Sequence, residues 1–165
     1  MAGLATSLDV RAATADQLHK HGPLLLAAAR LITLDDDEAQ DLVQATFEIA
    51  LRNLGSLRDP AALPAYLLKV ETREAFRVVR RLRRLVRFDP RASELPAPDT
   101  DFAQHADMRH ALAALPQRIR AAVALHHLAG LSVGETATAL RVSENTVKSQ
   151  LKTGLQKLRE ALQDG

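Results

Sequence analysis

The stretch LPQRIRAAVALHHLAGLSVGETATALRVSENTVKSQLKTGLQKLR, Leu115 to Arg159, decides the fold. Its apolar residues recur three or four apart in three blocks separated by two short turns, the pattern of helices that each bury one face. The first block begins at Pro116 and stops near Gly130. Ser132 and Glu135 form an S-x-x-E capping box for a short helix ending at Leu140. Arg141-Val142-Ser143 make the turn, and a last helix runs from Glu144 to about Leu162 with Val147, Leu151, Leu155 and Leu158 facing inward. Val133, Ala137, Leu140, Val142, Val147 and Leu151 are expected to seal the angle between the last two helices. This is a helix-turn-helix, whose second helix lies in the major groove of DNA.

Ser143, Glu144, Asn145, Lys148, Ser149 and Lys152 fall near the outer, N-terminal side of that second helix. Asn and Lys can read base edges, while Ser and Lys suit phosphates. The competing reading is an ordinary helical bundle with a solvated polar face; the local basic excess favours DNA. Arg141 is an irregularity, because glycine would more easily take the left-handed backbone of such a turn. It either carries strain there or adds a phosphate contact.

The rest of the chain is equally helical in character. Hydrophobic residues make up 47% of the 165 residues but aromatics only 3%, so the core is built from Leu, Ala and Val and no strand is expected. The absence of Cys excludes disulfides, thiolate zinc sites and Cys nucleophiles. The six His are scattered, with the adjacent His126 and His127 pointing to different helix faces, so no metal site is expected. No Gly-rich phosphate loop, Ser-His-Asp arrangement or carboxylate pair stands out. The chain reads as a non-enzyme without cofactor or metal. No signal peptide or membrane span is legible, which points to a cytoplasmic protein.

Charge is distributed in blocks. The net balance is −4 over residues 1–60, +6 over 61–93, −3 over 94–116 and +3 over 117–165. Two basic blocks separated by an acidic one suggest two contacts with a polyanion, and the acidic first block suggests a basic protein surface. FDPRASELPAPDTDF, Phe88 to Phe102, has three prolines and reads as a linker between domains at 1–87 and 103–165.

In the first domain, Thr14 to Leu34 reads as helical, either kinked or divided at Pro23, with Leu18, Leu24, Leu25, Ala28, Leu31 and Ile32 as its apolar face. Asp35-Asp36-Asp37 cap a second helix whose apolar positions are Leu42, Val43, Thr46, Phe47, Ala50, Leu51 and Leu54. A third, about Leu63 to Arg87, carries Leu67, Val70, Ala75, Val78, Val79 and Leu82 on an approximate apolar stripe. Arg73, Arg77, Arg80 or Arg81, and Arg84 lie close to another stripe, with Arg83 and Arg87 nearby. A merely soluble face would intersperse Glu, and only Glu71 and Glu74 are at hand, so this stripe is expected to face phosphate.

Taken in order, these blocks resemble a bacterial RNA polymerase sigma factor of the extracytoplasmic-function (ECF) group across nearly the whole chain. EAQDLVQATFEIAL, Glu38 to Leu51, is similar to that family's core-binding helix, and Leu115 to Arg159 to its promoter-binding helix-turn-helix, most typically at Asn145-Thr146-Val147-Lys148-Ser149. The resemblance implies that Asp41, Gln44 and Phe47 dock on core RNA polymerase. It places Ser56, Leu57, Arg58 and Asp59 in the loop that captures a flipped base of the −10 element, with Arg73, Arg77, Arg80, Arg81 and Arg84 holding the strands nearby. The linker would run toward the RNA exit path, and the helix-turn-helix would read the −35 element of promoter DNA. An anti-sigma factor is a further partner the resemblance admits.

The chain departs from the family at four positions. Tyr66 stands where Trp is usual, Arg73 and Arg77 where Asn and Asp are usual, and Leu57 where an aromatic is frequent. All four fall in the promoter-opening segment. Two rival readings stay open on the sequence. One is a helix-turn-helix regulator that acts on operators without replacing a sigma factor; the other is a sigma-like protein-interaction module.

Overall fold

The computed structural model describes residues 15–53, 57, 59–86 and 106–163. Among them every regular element is helical: α1 (15–20), α2 (Gly22–Thr33), α3 (Asp36–Asn53), a 3₁₀ turn (Pro60–Ala62), α4 (Leu63–Val86), α5 (Ala106–Ala113), α6 (Gln117–Val123) running into a π turn (Ala124–Leu128), α7 (Val133–Leu140) and α8 (Glu144–Gln163). The expected all-helical class is what the structure has. The linker, residues 1–14, Leu54, Gly55, Ser56, Arg58 and Arg87 lie outside the described residues.

The first expected helix is divided at His21. Pro23 has no N–H to donate and fits only the first turn of a new helix, so α2 starts there and Leu25 N–H bonds back to His21 O at 3.0 Å. α2 ends on Leu34, whose φ of 59° is left-handed and whose N–H returns to Arg30 O. Thr33 Oγ donates to Ala29 O, and Asp35 Oδ1 then caps α3 by accepting from Glu38 N–H at 2.8 Å. Asp36 takes the Arg30 guanidinium at 2.9 Å.

α2, α3 and α4 pack pairwise into one helical group, and α5 to α8 form a second around α8. The groups are not separate in space. α2 lies on α6 and the π turn, α4 lies on α7, and the buried side chains of both groups form one continuous core.

The expected core needs several corrections. Leu51, Val78 and Leu155 are exposed, and Leu24, Leu31, Val43, Phe47, Val70 and Val79 are only half-buried. On α4 the buried stripe is Leu63, Leu67, Leu68, Glu71, Thr72 and Ala75, rotated from the expected one because α4 is covered by α2, α3 and α7 on different sides. On α8 Gly154 takes the inward place assigned to Leu155. A Cβ on Gly154 would stand 2.8 Å from Val123 Cγ2 and 3.0 Å from Ile119 Cγ2, so α6 and α8 approach at a distance only glycine permits.

Candidate nucleic-acid interface

The helix-turn-helix is held by local bonds that its sequence specifies. Ser132 Oγ accepts from Glu135 N–H at 3.0 Å and Glu135 Oε2 accepts from Ser132 N–H at 2.8 Å, closing the capping box of α7. Arg141 ends α7 with φ 57°, the left-handed backbone the turn requires, so strain is the cost of the irregularity there, about 1–2 kcal/mol for a residue with a Cβ. Ser143 then caps α8. Its Oγ accepts from Thr146 N–H at 3.1 Å and lies 2.9 Å from Thr146 Oγ1. Of the expected reading set, Ser143 is therefore committed to the first turn of α8.

The remaining members form the face that was expected. Glu144, Asn145, Lys148, Ser149 and Lys152 are all exposed, opposite the buried Val147, Leu151, Gly154 and Leu158. A shallow depression of about 450 Å³ flanks this face, lined by Asn145, Thr146, Ser149, Gln150, Thr153 and Ile119. Donors and acceptors on an exposed helix face are what a recognition helix offers to base edges and phosphates.

The Arg-rich helix is divided in a way its sequence does not announce. Arg80, Arg81 and Arg84 are exposed. Arg77 donates to Glu74 Oε2 at 2.6 Å, and Arg73 reaches across to the second helical group, where Nη2 donates to Thr138 O at 3.0 Å. Partial burial and the nearby Arg141 guanidinium both hold the Arg73 pKa down. Glu71 does not lie among these arginines at all. It faces the core at 0% exposure, neither carboxylate oxygen has a hydrogen-bond partner, and burial pushes its pKa up to about 9.

Of the loop residues, Leu57 is half-buried against the core and Asp59 Oδ1 caps the 3₁₀ turn by accepting from Ala61 N–H at 3.0 Å. Tyr66 is half-buried with the Lys69 ammonium 5.3 Å from its ring. On α3, Asp41 and Gln44 are exposed, while Phe47 packs edge-on to His19 at 5.6 Å. Burial, then the neighbouring Asp35 and Asp41 carboxylates, raise the Glu38 pKa.

Two charged residues escaped the sequence reading. Glu71 sits four residues after Leu67 and three after Leu68, so helical spacing did place it on the buried face; its charge disguised it. Arg120 is 7% exposed, with Nη1 donating to Leu115 O at 2.8 Å and Nη2 to Ile32 O at 3.0 Å. Its second partner lies 88 residues away, and no local pattern could signal it. Among the described residues no group of His, Cys, Asp and Glu could hold a metal ion, and no helix is long and apolar enough to cross a membrane.

Comparison with known proteins accounts for both helical groups. Residues 18–85 match the sigma-70 region 2 family and residues 105–158 the sigma-70 region 4 family. The chain is 34% identical over 145 residues to the RNA polymerase sigma-E factor of Streptomyces coelicolor, covering 84% of this chain and 79% of that one. It is 32% identical over 141 residues to the ECF RNA polymerase sigma factor SigM of Mycobacterium tuberculosis, covering 82% and 70%. Among solved structures it is similar to the sigma factor RpoE of Bartonella quintana, crystallised with the anti-sigma factor NepR, at TM-score 0.81 and 25% identity over 90% of this chain and 95% of that one. It shares its fold with CnrH, solved with the cytosolic domain of CnrY, at TM-score 0.64 and 24% identity.

Proposed function

The chain belongs to the ECF group of RNA polymerase sigma factors, and from that premise we propose how its residues divide the work of directing core polymerase to promoters. Asp41 and Gln44, exposed on α3, dock on the core enzyme with the edge of Phe47 beside them. Asn145, Lys148, Ser149 and Lys152 of α8 read the −35 element, with Glu144 at the margin of that face and Ser143 fixing the angle at which α8 enters the groove. Arg80, Arg81 and Arg84, together with Arg73, Arg77 and the loop containing Ser56 to Asp59, meet the −10 region.

The observation that carries this reading is the set of exposed faces. One chain presents an acidic helix, a basic helix and a capped recognition helix, each with its polar side outward. The units are residues 1–87, a linker over 88–102, and residues 103–165. The protein works in the cytoplasm without cofactor or metal, and the polymerase supplies the chemistry. An anti-sigma factor is a fitting partner, since both structural relatives were solved with one or with a protein fragment bound.

Reconstitution tests the proposal. Core polymerase with this chain should start transcripts at promoters that core alone ignores. A folded chain that fails to bind core polymerase would refute it. An operator-binding regulator would instead bind paired duplex half-sites unaided.

A further inference from the structure

Glu144 stands apart from the rest of the expected reading set. Its side chain leans from the first turn of α8 back onto the start of α7, where Oε1 lies 3.2 Å from the point a Cβ on Gly134 would occupy. Ser132 Oγ is 3.9 Å from the same point. An approach of 3.2 Å is closer than ordinary van der Waals contact, so the lack of a side chain at position 134 is what admits the carboxylate. No turn asks for glycine there. Gly134 is the second residue of α7 and has an ordinary helical backbone, unlike Gly130 at φ 73°. Glycine in a helix costs conformational entropy, and what it provides at this place is room for Glu144.

A helix start carries N–H groups without intrahelical partners and the positive end of the dipole, which makes it a natural seat for phosphate. The first helix of a helix-turn-helix crosses the DNA backbone, so a phosphate comes within reach of the start of α7. In this chain negative charge already stands there from two sides. Glu135 Oε2 accepts from Ser132 N–H at 2.8 Å within the capping box, and Glu144 arrives from α8. Neither helix needs Glu144 as its cap, because Ser132 caps α7 and Ser143 caps α8 by accepting from Thr146 N–H at 3.1 Å. We propose that Glu144 is a phosphate guard rather than a base reader: its carboxylate keeps the DNA backbone off the start of α7 and so lowers affinity for all upstream sequences alike. The inference rests on the promoter reading above and reassigns one residue within it. Lys148 and Lys152 follow Glu144 at intervals of four on α8, so positive charge meets the DNA one and two turns farther along. With the backbone contact at α7 suppressed, the sequence-independent share of binding stays small beside what Asn145 and Lys148 contribute at base edges.

Holoenzyme carrying Glu144→Gln tests this on two duplexes, the upstream element of a promoter at which the wild-type holoenzyme initiates and a scrambled copy. Binding to both should tighten by the same factor, roughly two- to five-fold, the effect of one charge at a helix end. The slope of log affinity against log salt should steepen by about 0.9, as one more phosphate contact requires. Adding Gly134→Asp to that variant returns a carboxylate to the start of α7 from the other helix. Both duplexes should then bind as they do to the wild-type holoenzyme, whereas the loss of a base reader cannot be rescued from position 134. Circular dichroism of the free chains checks that each variant is folded, and the affinity and slope of Glu144→Gln decide the matter if the double variant is not. Weaker binding to the initiating element alone would identify a base reader and overturn the guard. Unchanged affinity and slope, or a tightening that folded Gly134→Asp leaves in place, overturn it equally. If the wild-type holoenzyme does not distinguish the two duplexes, the promoter reading falls instead, and the salt slope on the scrambled duplex still decides the guard.

Discussion

Replacing Glu71 by Gln should remove a loss of stability that grows as pH rises from 4.5 to about 9. The carboxyl is fully buried on α4 without a hydrogen-bond partner, and burial lifts its pKa from 4.5 to about 9. The proton is therefore held more tightly by the folded chain than by the unfolded one. Stability is fully present below pH 4.5, falls as pH rises above it, and the loss is complete once pH passes about 9. Each pH unit in that window costs about 1.4 kcal/mol, so at pH 7.5 the penalty amounts to roughly 4 kcal/mol. Against a total stability of about 5–15 kcal/mol for a small domain, that is a large share. Gln keeps the size and one amide in place of the neutral acid but cannot ionise. Urea unfolding followed by circular dichroism from pH 5 to pH 9 gives the difference between the two chains at each pH, which cancels every other titrating group. The difference should be near zero at pH 5 and grow to several kcal/mol in favour of the variant by pH 8. Parallel curves would refute the reasoning, since they would mean that Glu71 is ionised in the folded chain and has found a partner.

Other perturbations test the remaining links. Gly154→Val would force a side chain into the 2.8 Å and 3.0 Å approaches to Val123 and Ile119; a loss of about 1–3 kcal/mol and weaker −35 binding should appear together in thermal melts and DNA titrations. Arg141→Gly should relieve the left-handed backbone at φ 57° and raise stability by up to about 1 kcal/mol, read as a higher melting temperature. Asn145→Ala or Lys148→Ala should cost roughly 1–3 kcal/mol of discrimination between −35 sequences. Arg80→Ala should weaken binding to all sequences alike and reduce its salt dependence, and equal, sequence-blind effects from both sets would contradict the division of roles.

Legibility in the sequence followed the range of the interaction. The capping box at Ser132 and Glu135, the break at Pro23 and the inward face of Val147 and Leu151 were all readable, and each is settled by residues within four positions of one another. The exposed face of Asn145, Lys148, Ser149 and Lys152 was readable for the same reason. Where the reading erred, a second element had intervened. Leu155 gave way to Gly154 because α6 comes too close for a side chain, and Val78 is exposed because the neighbours of α4 cover a different stripe.

The sequence by itself determined that this protein is a run of capped amphipathic helices ending in a helix that can read DNA, because helical periodicity and caps are local properties of the chain. Only the tertiary structure decided what the charges do. Burial on α4 raises the Glu71 pKa to about 9, and Arg73 and Arg120 spend donors on carbonyls 65 and 88 residues away. A charged side chain carries the same letter whether it meets phosphate, solvent or the end of a distant helix, and only the packing of the two groups selects among them.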